Sequence, residues 1–393
     1  MNIILAPDSF KGTISSREVC GIMADELTAV CPGSRITSIP VADGGEGTVD
    51  CFVTALGGEV VRLRVSGPYF EPVDSFYGIV TDAAGRRTAI VEMAAAAGLP
   101  MAEASGGSDP CRTTTYGVGE LILDAVRRDC RRVIVGLGGS CTTDGGCGMA
   151  AALGVVFRDG DGCEFVPVGG SIGRVADIDM SGRACELDGV EFVAMCDVDN
   201  PMYGPEGAAY VFAPQKGADA AAVGLLDAGL RSLCAVMERK TGRGLSTLAG
   251  GGAAGGLGAG IVAFLGAELR RGIDAVLDTV GFDEALRQAD FVFTGEGRMD
   301  AQSVRGKVIS GVAARAAAVG VPVIAVVGDA APGAELLLDA GLCSVFSINR
   351  RPLPFEQVRG ESAENLRFAM KNIARLISSA RRTVTHPTIG EKL

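Results

Sequence analysis

The chain opens on a short apolar run, Asn2-Ile3-Ile4-Leu5-Ala6, stopped by Pro7. Apolar residues without alternation read as a strand buried on both faces of a parallel sheet. The loop Asp8-Ser9-Phe10-Lys11-Gly12 follows. Ser15 or Ser16 can then cap a helix over 17–30, with Val19, Ile22, Met23, Leu27 and Val30 on one side. Residues 34–41 read as a second strand, leading through a glycine-rich loop at 42–48 into a helix that ends near Leu56. This β-α-β-α rhythm predicts a parallel sheet with its loops gathered at the carboxyl ends of the strands. From about 59 to 87 the texture changes. Residues 60–65 and 75–80 alternate, and 82–85 reads as a hairpin turn, which together predict antiparallel strands with one solvated face. Further on come a helix over 117–127 and a buried strand over 132–136. After about Gly281 the parallel rhythm returns, with strands at 291–293 and 322–327 around a helix over 304–319. The resulting α/β reading has a discontinuous first domain, 1–60 plus 284–380, a second α/β domain inserted at 61–283, and a polar tail at 381–393 that frays.

Composition narrows the function. Lys and Arg total 36 against 47 Asp and Glu, a net charge of −11, which argues against nucleic acid as a partner. Hydrophobic residues make up 48% and charged residues 21%, so the chain has the material for a large core. The single histidine, His386, lies in the polar tail, which excludes most Ser-His-Asp and Cys-His chemistry and any His-bound zinc site. The 12 cysteines include no C-x-x-C pair and read as small buried hydrophobes in a reducing compartment. No apolar run reaches the ~18 residues of a membrane span, and the first residues lack a signal-peptide pattern. A soluble, cytoplasmic protein with no membrane partner is expected.

The 57 glycines have no Gly-X-Y period and cluster in segments that also carry acids, hydroxyls or lysine. In the run 250–260, Gly252, Gly255, Gly256 and Gly258 let backbone N–H groups converge on one oxyanion, a phosphate cradle; close helix packing is the other reading. No Walker A loop is present. Asp43 and Glu46 share a format with Glu296 and Asp300: acids between glycines after a strand. Such carboxylates can hold Mg²⁺ through waters, or simply shape turns. Asp197 follows a strand and can accept a proton from a hydroxyl, with Asn200 beside it. Lys216 offers a mobile cation for phosphate charge, or a solvated helix-end lysine. Ser140, Thr142, Thr143 and Asp144 suit a small anionic ligand, or cap a helix from about Gly146. With no histidine at hand, phosphoryl transfer is attractive because it rests on positioning and electrostatics. A non-kinase hydroxy-acid binder or an isomerase-like protein is the alternative.

The ordered segments APDSFKG (6–12), PVADGGEGT (40–48), GLGGS-x-T-x-DGG-x-G (136–148), CDV-x-NP (196–201), APQKGA (213–218), GAAGGLG (252–258) and TGEG-x-x-D-x-QS-x-x-GK (294–307) closely resemble the bacterial type-1 glycerate kinases. The resemblance runs from Met1 to about Ala380. One departure is that Leu248-Ala249-Gly250-Gly251-Gly252 stands where a Pro-Gly turn would be expected. The resemblance implies an ATP-dependent kinase that converts D-glycerate to 2-phosphoglycerate, with 3-phosphoglycerate as the other product. It also implies a Rossmann-like parallel-sheet domain interrupted by a second α/β domain, with the active site in the cleft; a homodimer is one assembly it allows. It places Asp8, Ser9, Lys11, Asp43, Glu46, Asp197, Asn200, Gln215, Lys216, Thr294, Glu296, Asp300, Gln302 and Lys307 in the motifs. On these positions catalysis is expected of Asp197, Lys216 and Lys11, and substrate contact of Asp8, Ser9, Ser140, Thr142, Asn200 and Thr294. ATP phosphates are expected at Gly252, Gly255, Gly256 and Gly258, and Mg²⁺ at Asp43, Glu46, Glu296 and Asp300.

Overall fold

The structure, a computed structural model, describes residues 1–385 other than 43, 83, 301, 302 and 304–307, with side chains up to residue 381. The chain divides into two compact units, Met1–Ala42 with Val276–Leu393, and Asp43–Ala275.

The first unit is built on five parallel strands in the spatial order Leu342–Ser347, Val323–Val327, Phe291–Gly295, Asn2–Pro7, Arg35–Ser38. The uninterrupted apolar runs form its interior strands, because a strand covered on both faces has no solvated side to fill with polar residues. Helix Ser16–Val30 starts as expected, with the Ser15 hydroxyl accepting from the Glu18 N–H. It packs with the long helix Ser362–Thr385, and Met23, Leu27, Leu366 and Met370 share a core with Ile3, Leu5 and Phe293. That last helix continues through residues 381–385, where a frayed tail was expected; His386 lies outside the described residues. The second strand is shorter than the sequence pattern suggested, ending at Ser38 ahead of Pro40. Residues 39–41 still follow the first strand, with Ile39 and Val41 N–H groups donating to the Leu5 and Pro7 carbonyls.

The second unit holds a six-stranded sheet in the order Glu268–Arg270, Glu191–Met195, Arg132–Gly136, Arg87–Glu92, Pro72–Thr81, Glu59–Ser66. The first four strands are parallel and the last two join as the antiparallel ribbon that alternation indicated. The boundary between units falls earlier than residue 60. Helix Thr48–Leu56 packs on strands Pro72–Thr81 and Arg87–Glu92, with Val49 and Val53 against the bare Cα of Gly78. The other boundary falls near 275 where 284 was expected. Helix Ala220–Thr241 is long and apolar enough by length and composition to cross a membrane, where the sequence pattern indicated no run of that length. Leu226, Leu230, Leu233 and Met237 on this helix are buried in the second unit's core, the pattern of a core helix.

Candidate active site

In the first unit the strand order reverses between Asn2–Pro7 and Phe291–Gly295. Loops leaving two such strands diverge to opposite faces of the sheet, and the crevice they leave at the carboxyl ends is where open α/β sheets bind ligands. Pro7 and Gly295 are register partners, so Asp8 and Glu296 sit one residue beyond on neighbouring strand ends. The Asp8 N–H donates to the Gly295 carbonyl at 2.8 Å, and the Asp8 carboxylate accepts from the Ser9 N–H at 2.6 Å. Both carboxylates are buried; Glu296 accepts from the Ser303 hydroxyl, and the Asp300 N–H donates to the same hydroxyl at 3.2 Å. Ser16, buried in the first turn of its helix, donates to the Pro7 carbonyl at 2.6 Å and accepts from the Val41 N–H at 3.1 Å, so it clamps this strand end. Lys11 is exposed on the loop and Ser9 is half-buried. Thr294, expected to touch substrate, is fully buried and donates to the Ala6 carbonyl at 2.9 Å, tying the two strands together.

In the second unit the motif segments meet at the carboxyl ends of the parallel strands. The backbone of Gly136 lies against the Gly44 carbonyl, and the Gly138 N–H donates to that carbonyl at 3.2 Å. The Leu137 N–H reaches Met195 O at 3.2 Å, the Gly145 N–H reaches Gly255 O at 3.1 Å, and the Gly252 N–H reaches Asn200 O at 2.9 Å. Residues 254–256 are left-handed, with φ of 51°, 67° and 91°, inside the segment Ala253–Leu265. A Cβ on Gly255 would overlap the Thr142 carbonyl; Gly252 and Gly258 abut the backbones of Pro201 and Gly250, and Gly256 lies near Gly145. The Cα faces of these glycines therefore lie against neighbouring loop backbone.

Several polar groups here are tied into the scaffold, while the Thr142 and Thr143 hydroxyls are buried without a hydrogen-bond partner among the described residues. Asp144, fully buried, accepts from the Thr115 N–H and hydroxyl and from the Gly146 and Gly148 N–H groups, capping the helix at Cys147–Ala152. Burial holds its carboxyl above the usual range, against the pull of those donors. Lys216, read as a mobile cation, is instead 1% exposed, and its ammonium donates to Ser140 Oγ at 2.9 Å and Thr142 O at 2.6 Å. Asn200 donates to the Glu206 carbonyl at 2.7 Å. Asp197 is exposed at the end of its strand, and its Oδ1 accepts from the Gly272 N–H at 2.8 Å. Glu46 is exposed; Asp43, Gln302 and Lys307 lie outside the described residues.

Among the described residues no three His, Cys, Asp or Glu side chains cluster as a metal cage. Mg²⁺ does not need one: it keeps waters and takes one or two carboxylates with substrate phosphates, so the Asp8 and Glu296 pair fits that donor chemistry. The sequence reading missed Glu92, the lone acid ending strand Arg87–Glu92. Its Oε1 accepts from the Val49 N–H at 2.7 Å, anchoring the helix that follows the Gly44–Gly47 loop. Burial pushes its carboxyl up to about 7, with Glu46 and Asp50 adding to the rise. Only the position of an acid after Ala-Ile-Val could have signalled it.

The chain matches a family model described as the glycerate kinase family over residues 3–378. A Bacillus subtilis (strain 168) protein named glycerate kinase is 42% identical over 381 residues, covering 97% of this chain and 99% of that protein. An Escherichia coli (strain K12) protein named glycerate 2-kinase is 39% identical over 374 residues, with coverages of 95% and 97%. A solved Salmonella typhimurium LT2 protein described as a glycerate kinase 2 matches with a TM-score of 0.86 at 39% identity, covering 97% of this chain and 99% of that one.

Proposed function

The chain belongs to the glycerate kinase family and is a phosphotransferase, and from that premise we propose that it transfers the γ-phosphoryl group of ATP to D-glycerate, giving 2-phosphoglycerate in the cytoplasm. The 2-position is favoured by the likeness to the E. coli relative named glycerate 2-kinase. The observation that carries the ATP-dependent reading is the pair of buried carboxylates, Asp8 and Glu296, on neighbouring strand ends where the sheet order reverses. In this proposal they hold Mg²⁺ with the nucleotide phosphates, which supplies neutralisation of charge on the transferring group. Lys11, exposed on the same loop, adds a second cation for that charge. Asp197, aimed by the Gly272 N–H, takes the proton of the glycerate hydroxyl as it attacks. Lys216 has no direct part in charge neutralisation, because its ammonium is spent inside the scaffold.

The test is release of ADP from ATP, Mg²⁺ and D-glycerate, with phosphorus NMR assigning the product. No ADP above a control lacking glycerate, in folded protein, overturns the reading. A phosphorylated 3-position overturns only the regiochemistry. Asp197→Asn keeps the shape and removes the acceptor charge, so kcat should fall by ~10²–10⁴ with less change in glycerate KM. Near-normal kcat in that variant removes Asp197 from its role.

A further inference from the structure

A lysine ammonium is donor-only. Lys216 therefore donates into the Ser140 oxygen at 2.9 Å, and the Ser140 hydroxyl hydrogen must turn elsewhere. Ser140 is half-buried, on the loop that leaves strand Arg132–Gly136, and donates to no described residue. The same ammonium is anchored on Thr142 O at 2.6 Å, so it holds both ends of a three-residue stretch of that loop. Helical turn Pro214–Lys216 supplies the lysine, and its backbone is fixed in turn, with the Lys216 N–H on Ala213 O. The arrangement leaves a hydroxyl hydrogen unclaimed among the described residues, with a buried positive charge behind its oxygen.

We propose that Ser140, polarised by Lys216, is the hydrogen-bond donor that reads the carboxylate of glycerate, and that Lys216 is its positioning residue. The proposal rests on glycerate as the substrate. A hydroxyl backed by one cation suits a carboxylate, a singly charged group with acceptors only. A triphosphate demands several cations and amides at once. Ser140 also discriminates by polarity, since a substrate offering a donor in place of the carboxylate meets a donor.

The pair has a built-in pH limit. Burial lowers Lys216 from 10.5 to about 8, while Cys141 and Asp144, the two ionisable groups that act on it, pull the other way. Once neutral, the amine can accept the Ser140 hydrogen and turn the donor inward, so glycerate binding should weaken as pH rises through 8.

Steady-state kinetics of the full chain, with D-glycerate and ATP varied separately from below to above pH 8, test this in wild type, Ser140→Ala, Lys216→Met and the double variant. Loss of a hydrogen bond to a charged group should raise glycerate KM in Ser140→Ala roughly 10- to 100-fold. The ATP KM should not move, and the double variant should be no worse than Ser140→Ala, because the two residues act as one unit. If Lys216→Met does not fold, the pH comparison decides: KM climbs above pH 8 in wild type and stays flat in Ser140→Ala. An unchanged glycerate KM in Ser140→Ala, a shift in the ATP KM instead, or a pH limb that persists in Ser140→Ala each overturns the inference. A wild-type enzyme that does not turn over glycerate overturns the functional reading itself, and the ligand named here with it.

Discussion

The carboxyl edges of the two sheets carry the same vocabulary of glycine, acid, hydroxyl and lysine, and use it differently. At the second unit's edge the charged groups are consumed by the scaffold: Asp144 takes four donors, Lys216 is tied to Ser140 and Thr142, and the glycines of 252–258 lie against neighbouring backbone, while the Thr142 and Thr143 hydroxyls stay unpartnered among the described residues. At the first unit's edge the loop after Asn2–Pro7 is short, Gly12 has open space around its Cα, and two buried acids face the reversal of strand order. A glycine-rich motif is thus weak evidence for a ligand cradle until the space around each missing Cβ is known. On the proposal above, the ligand takes the hydrogen that Ser140 leaves unclaimed.

The largest effect that would break this contrast is a single methyl group. Both Gly255 and Gly12 have positive φ, 67° and 78°, so alanine costs about 1–2 kcal/mol at either for conformation alone. At Gly255 the new Cβ also overlaps Thr142 O and crowds Thr143, and overpacking adds about 1–3 kcal/mol. Gly255→Ala should therefore lower the urea midpoint far more than Gly12→Ala. Equal losses would mean that the 252–258 segment is not a packing element.

A pair of isosteric changes sharpens the contrast at the next scale. Asp144→Asn turns an amide NH₂ toward N–H groups that now donate to a carboxylate, costing about 1–3 kcal/mol of stability. Asp8→Asn should shift stability less and instead raise the Mg²⁺ concentration for half-maximal rate by about tenfold or more. Measuring both variants by denaturant unfolding and by Mg²⁺ titration of activity separates the roles. An Asp8→Asn enzyme with unchanged Mg²⁺ dependence moves the metal away from this strand end.

Local patterns on the chain were legible where physics is local. The parallel strands at 2–7, 132–136 and 323–327 are uninterrupted apolar runs, and Glu59–Ser66 alternates because one face meets water. Its partner Pro72–Thr81 keeps that pattern only in its first half, since Tyr77 to Val80 are all buried and helix Thr48–Leu56 covers Gly78. Helix starts followed their caps, as at Ser15. What depends on distant partners was not legible. The unit boundary was misjudged because helix Thr48–Leu56 finds its partners in strands that lie later in the chain. Lys216 sits in a Pro-Gln-Lys-Gly turn that looks solvated, and its burial comes from Ser140 and Thr142, more than seventy residues earlier. Glu92, and the clamp that Ser16 makes on the strand end, escaped for the same reason: each acts through a backbone that the sequence does not bring beside it.

The smallest effect isolates the buried lysine by linkage. Lys216 titrates near 10.5 when unfolded and near 8 in the fold. Between those values the unfolded chain binds more protons than the native one, so unfolding free energy rises with pH, by at most about 1.4 kcal/mol per unit. Two other sets of groups bound the window. Glu92, raised from 4.5 to about 7, keeps its proton longer in the native state, so its contribution falls as pH climbs from 4.5 to 7. The buried thiols do the same from about pH 8 upward: Cys20 and Cys141 are pushed from 9.0 to about 12, Cys196 and Cys234 to about 11, and Cys111, Cys130 and Cys147 are raised as well. Their summed fall outweighs the lysine's rise, so the lysine is read as a difference between two proteins in which the thiols cancel. Between pH 8 and 9 the wild type should gain about 1 kcal/mol relative to Lys216→Met, seen as a change in the gap between their urea midpoints. Packing sets the size of that gap, and only its slope with pH reports the titration. Parallel curves would remove Lys216 from this titration and return it to the solvated lysine its local sequence suggests.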